Sequence, residues 1–190
     1  MRRNDTSSVG REAENLAAAL LKQRGFAVRN LNDERVNNPL YDLVAMRDRC
    51  QIEVSVKCAR AKRELRLGNP HMLRKLRDDT VLMAFLPVEK GREIELTQGG
   101  YELLIIPGGT ARDEALAAHN HYAATHPRSI NHPVMVKDKI DRNEGTRSGA
   151  VFKSWRQRFL NAWDTFDLVC RREQSQGRKS RISNRACQRE

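Results

Sequence analysis

Hydrophobic and polar positions in the first third of the chain recur first at helical and then at strand spacing. From Gly10 to Gly25 the residues GREAENLAAALLKQRG are rich in helix formers, with Leu16, Ala17, Leu20 and Leu21 at helical intervals. Ser7 or Ser8 offers a cap, and Gly25 is a stop signal behind Lys22, Gln23 and Arg24. Phe26-Ala27-Val28 then starts a short strand, and Asn30 to Leu40 reads as a polar loop. Tyr41 to Met46 and Gln51 to Cys58 are two strands about the turn Arg47-Asp48-Arg49. In the second, Ile52, Val54, Val56 and Cys58 fall on one face and Glu53, Ser55 and Lys57 on the other.

Beyond this point the rhythm is broken. Ala59 to Arg77 is basic and interrupted by Gly68-Asn69-Pro70, which reads as a loop followed by a short helix. Val81 to Val88 and Tyr101 to Pro107 are apolar runs suited to buried strands, and Glu93 to Leu96 alternates as a hairpin or edge strand between them. Ala111 to Ala124 is expected to be a helix, His126 to Gly149 irregular, and Val151 to Val169 one helix. Phe152, Trp155, Phe159, Trp163 and Phe166 recur in that helix at spacings of three and four, which points to core packing over base stacking. The expected fold class is α/β: a central mixed sheet of about four or five strands, the leading helix on one face and helices of the second half on the other. Residues 8–169 make one domain, and 170–190 form a tail, expected to be disordered, with seven cations from Arg171 onward against two carboxylates.

Charge narrows the partner. The chain of 190 residues has a formal net charge of +11 and 39% hydrophobic residues. Such a field favours a polyanion, because each phosphate contact releases counterions. No apolar run approaches the ~18 residues that span a bilayer, so no membrane partner is expected. Met1-Arg2-Arg3 is followed by no apolar segment, and Cys50, Cys58, Cys170 and Cys187 match neither a C-x-x-C pair nor a zinc spacing. A cytoplasmic location with reduced thiols follows as the expectation. His119, His121, His126 and His132 cluster without a cysteine or carboxylate beside them, and read as surface histidines rather than zinc ligands.

The polar stripe of the second strand carries the candidate chemistry. Residues two apart on a strand lie about 7 Å from each other on one face, so Glu53, Ser55 and Lys57 form a row that Asp42 on the neighbouring strand can join. A carboxylate that holds a divalent ion, beside a cation that offsets developing charge, is what phosphodiester hydrolysis requires. The plainer alternative is a half-exposed strand with a solvated polar face. Arg60, Lys62, Arg63 and Arg66 follow Lys57 directly, with Arg74, Lys75 and Arg77 behind them, and are candidates to grip flanking phosphates.

Gly10-Arg11-Glu12-Ala13-Glu14-Asn15-Leu16-Ala17, Gly25-Phe26-Ala27-Val28, Tyr41-Asp42-Leu43-Val44 and Val54-Ser55-Val56-Lys57, in that order, resemble the PD-(D/E)XK nuclease superfamily, in its Holliday-junction-resolvase-like branch. The resemblance implies a restriction-endonuclease-like fold and a Mg²⁺- or Mn²⁺-dependent endonuclease acting on DNA. It implies Asp42 as principal metal ligand, Glu14 or Glu53 as second carboxylate, and Lys57 to position the attacking water. A homodimer is also compatible with enzymes that make paired cuts. Ser55 stands where the family pattern has an acid or glutamine, and a hydroxyl is a poor Mg²⁺ ligand beside a carboxylate. Two alternatives therefore stay open: a nuclease fold that binds DNA or a protein without cleaving, and a basic RNA-associated protein unrelated to nucleases.

Overall fold

The computed structural model describes residues 5–33, 40–59, 64–89, 91–92, 94–137 and 147–172. In chain order the elements are α1 (Asp5–Gln23), β1 (Ala27–Asn30), β2 (Leu43–Arg47), β3 (Cys50–Cys58), β4 (Glu64–Gly68), α2 (Pro70–Leu73), β5 (Val81–Pro87), β6 (Tyr101–Pro107), α3 (Gly108–Thr125), β7 (Val134–Lys137) and α4 (Arg147–Phe159). Residues 164–172 form a last helix, α5. A five-stranded sheet runs in the order β1-β2-β3-β5-β6, and β4 and β7 make a separate two-stranded sheet. Only β3 and β5 are parallel; the other pairs of the large sheet are antiparallel. The protein is thus α/β with a mixed central sheet flanked by helices.

The alternation within each strand feeds two cores, one on either face of the sheet. On the first, Ala13, Ala17 and Leu21 of α1 pack with Phe166 and Val169 of α5 against Leu43, Ile52, Val54, Met83 and Phe85. On the second, Leu65, Val136, Ala111, Phe152 and Trp155 cover Val44, Leu82, Ala84 and Leu104. Small alanines on α1 let that helix lie close to the strands, and Gly25, at φ 81°, ends it. The Phe26 N–H returns to the Leu21 carbonyl at 3.1 Å, the long-range bond of a left-handed helix stop.

Several expectations are corrected. The helix begins at Asp5, so Ser7 and Ser8 lie inside it rather than capping it. The basic stretch after Ala59 contains β4, and the region after His126 contains β7; Leu65 pairs with Val136 across the small sheet. Residues 94–100 contribute one bridge, Glu95 to Gly100, instead of a strand. The long aromatic helix is two helices. Asn161 takes φ 51°, a left-handed conformation that asparagine tolerates, and the chain crosses the β6 edge there. Leu160 bridges Leu104, the Asn161 N–H donates to the Leu103 carbonyl at 2.8 Å, and the Thr165 hydroxyl donates to the Ile105 carbonyl at 3.1 Å. Phe152 and Trp155 consequently fill one core, and Phe166 the other. The aromatic stripe is core, as its spacing suggested, but on both faces.

The thiols also differ from expectation. Cys50, at the head of β3, and Cys170, on α5, form a disulfide. Their separation of 120 residues hides the pair from any local spacing motif. Cys170, placed in the tail by the sequence reading, is buried in the first core, whereas Cys58 is only half-buried. Cys187 and the rest of the basic tail from residue 173 lie outside the described residues. Among the described residues no helix is long and apolar enough to cross a membrane.

Candidate active site

Where β2 begins, the β2–β3 ladder opens. Asp42 is its last rung on that side: the Asp42 N–H donates to the Val54 carbonyl at 2.9 Å, and its own carbonyl accepts from Leu31 N–H at 2.9 Å. The next inward-facing donor on β3, the Val56 N–H, has no strand opposite it and is taken by Asp42 Oδ2 at 2.7 Å. The same oxygen lies 4.0 Å from Lys57 Nζ. Asp42 is 18% exposed and Lys57 30%, so the pair is shielded but reachable.

Glu14 arrives from α1. Asn32 Nδ2 donates to Glu14 Oε2 at 3.0 Å, and the Asn32 side chain stands near enough to Asp42 to lower that carboxyl's pKa. One amide therefore bonds Glu14 and acts on the charge of Asp42. Asn32 is placed by a local turn in which its N–H donates to Asn30 Oδ1 at 2.9 Å. Burial raises the pKa of Asp42, against the lowering effects of Lys57, the Val56 N–H and Asn32. Burial also raises that of Glu14, and the Asp42 charge adds to the rise, while Asn32 and Lys57 oppose it. Burial and, for Glu14, the Asp42 charge disfavour the ionised carboxylates, a cost that a bound cation would offset.

Glu53 belongs to a different cluster. Its Oε2 is 3.3 Å from Arg77 Nη2 without hydrogen-bond geometry, and that oxygen is buried with no hydrogen-bond partner. Arg77 is held on its other side by Asp79, whose Oδ1 accepts from Arg77 Nε at 2.8 Å. Tyr41 sits beside this pair: burial, and then the Glu53 charge, push its hydroxyl pKa up. Of the sequence candidates, the fold brings together Glu14, Asp42 and Lys57, and sets Glu53 with Arg77.

The polar stripe of β3 is covered rather than solvated. Ser55 is buried, and with Lys57 it lines a cleft of about 350 Å³ between β3, β4 and α2 that Arg66 also borders. Arg66 is exposed on β4, while Arg60, Lys62 and Arg63 lie outside the described residues. His119 corrects the expectation of surface histidines: it is buried on α3, with Nε2 3.2 Å from the Ile130 carbonyl.

Among the described residues no three His, Cys, Asp or Glu side chains gather closely enough to hold a metal by themselves. The donor set still fits a hard divalent ion of the Mg²⁺ class, which commonly takes one or two carboxylates and completes its shell with water and substrate phosphate. Sequence reasoning missed Asn32, and it read Arg77 as a phosphate-gripping cation where the fold sets it against Glu53 and Asp79. Neither residue lies on a periodic segment with its partner, and only the loop chemistry of Asn30-Leu31-Asn32 marks Asn32. Compared with known proteins, the chain matches no family model, and no curated protein matches it significantly.

Proposed function

We propose that the protein is a metal-dependent endonuclease acting on DNA, with the restriction-endonuclease-like architecture and the PD-(D/E)XK arrangement that its sequence resembles. The observation that carries the reading is the approach of Asp42 Oδ2 to Lys57 Nζ, 4.0 Å apart across the open end of the β2–β3 ladder, with Glu14 tied to the same place through Asn32. Asp42 and Glu14 would hold the Mg²⁺ or Mn²⁺ ion. When bound, such an ion supplies Lewis acidity toward a phosphoryl oxygen and makes a neighbouring water more acidic. Lys57 orients the attacking water and offsets the charge that builds on the phosphate. Asn32 holds both carboxylates in register. Arg66, at the mouth of the cleft, meets a flanking phosphate, and the charge of +11 draws the polyanion to the surface.

A second reading is favoured by Ser55. A buried hydroxyl occupies the position from which a third acidic ligand would act, so a protein of this fold that binds DNA without cleaving it fits the same geometry. Cleavage of supercoiled plasmid at low salt separates the two. Nicking that requires Mg²⁺ or Mn²⁺ and disappears in both Asp42→Ala and Lys57→Ala is the expected result. Salt-sensitive binding with no nicking by the wild type would select the second reading, and nicking retained by both variants would remove the assignment of these residues.

A further inference from the structure

Lys57 faces two places at once. Its ammonium approaches Asp42, and its side chain also lines the cleft of about 350 Å³ between β3, β4 and α2. That volume is at the lower end of sites that enclose small molecules, about 300–1,000 Å³. Leu73, Leu76 and Leu82 are buried and form its apolar floor, while Arg66 and Lys57 stand at its accessible rim. Asn69 also lines it and makes no capping hydrogen bond with its side chain at the start of α2. An apolar floor, an amide and two cations together match one nucleotide: a flat apolar base, its polar edge and its phosphate.

We infer that this cleft receives an unpaired nucleobase of a DNA strand whose adjacent phosphate lies at Lys57, so that the substrate is single-stranded or locally unpaired DNA. In a duplex the base faces are stacked inside the helix and only their edges reach the grooves. A base presents an apolar face to a leucine floor only once it has left the stack, at a cost that is least where it is already unpaired. The rim charges supply the complementarity for the phosphate, and the floor supplies contact that no phosphate uses. The inference rests on the nuclease reading for the position of the phosphate, but its test reads binding alone.

The experiment is equilibrium binding of the full-length protein, without divalent ion, to three labelled DNA probes of matched length. These are a mixed-sequence single strand, the same strand built of abasic sugars throughout, and a blunt duplex. The single strand is expected to bind about tenfold more tightly than the abasic strand, in line with the loss of a base contact. Met72→Gln, which puts a polar amide of similar length over the leucine floor and adds neither charge nor a stacking face, is expected to shrink that difference severalfold. Equal affinity of the wild type for the normal and abasic strands overturns the inference without reference to any variant. So does a duplex that binds as tightly as the single strand, or a Met72→Gln protein that keeps the full preference. None of these outcomes depends on cleavage, so an inactive protein in the plasmid assay and a base-blind cleft are separate results.

Discussion

Glu53 and Lys57 lie on the same face of β3, four residues and about 13 Å apart along the strand, yet the fold treats the carboxylate near each of them in opposite ways. Glu53 meets Arg77, a permanently charged guanidinium that Asp79 also holds. Asp42 meets Lys57 at 4.0 Å, a backbone N–H and an amide that it shares with Glu14. The first carboxylate has a cation built in. The second is crowded by another acid and buried, with a lysine at the margin of ion-pair distance. A sequence pattern that lists Glu53 and Glu14 as equivalent second ligands does not distinguish them. The position of Arg77, 24 residues further along the chain, does.

The largest test of this contrast is catalytic. Asp42→Ala is expected to lower metal-dependent plasmid cleavage by more than about a hundredfold, whereas Glu53→Gln should stay within about threefold of wild type. A reversal of that order would return Glu53 to the metal site. Next in size is Asn32→Ala, for which we expect about a tenfold loss in rate, the usual scale for groups that orient metal ligands. Because Asn32 lowers the pKa of both Glu14 and Asp42, its removal raises both. The acid limb of the pH–rate profile should therefore move to higher pH, a displacement that a purely structural defect would not produce.

Stability tests sharpen the other side. Arg77→Ala leaves the buried Glu53 oxygen facing no cation and should cost about 1 kcal/mol, allowing for solvent around the exposed guanidinium. Urea unfolding should show most of that cost recovered when Glu53→Gln is added. Asp42→Asn should do the reverse of a typical functional-site change and raise Tm by about 2 °C at neutral pH. The sign follows from the raised Asp42 pKa. Its carboxyl contributes fully to stability when protonated in both states, and that contribution is lost as pH rises through the raised native value. The gain of the asparagine variant should accordingly shrink as pH falls toward about 3.9, the ordinary range of aspartate.

Sequence reading reached the elements whose periodicity is uninterrupted. α1, β2, β3, β5 and β6 follow from runs such as Ile52-Val54-Val56 and Val81 to Leu86, where every apolar position has a core to face. It failed where the partner is remote. Leu65 and Leu67 alternate within a basic stretch and gain strand character only by pairing with the segment that carries Val134 and Val136. The break in the aromatic helix depends on Asn161, whose left-handed turn lies between two segments of the same spacing. In the site, Asp42 and Lys57 were candidates because they sit on the alternating strand pair, and Glu14 because of the family resemblance. Asn32 was not, because an exposed loop residue carries no pattern until its neighbours are known.

The crossing at Asn161 has a consequence for assembly. An outermost strand exposes a row of backbone donors and acceptors on which another chain can grow the sheet. On β6 the outward carbonyls of Leu103 and Ile105 are already occupied by Asn161 N–H and the Thr165 hydroxyl, and Leu104 is bridged by Leu160. The chain thus seals that margin with its own backbone, and α5 is then bonded through Cys170 to the head of β3. A second copy adding a strand at β6 would have to peel this strap away. Any pairing of two copies by strand addition must therefore use another edge.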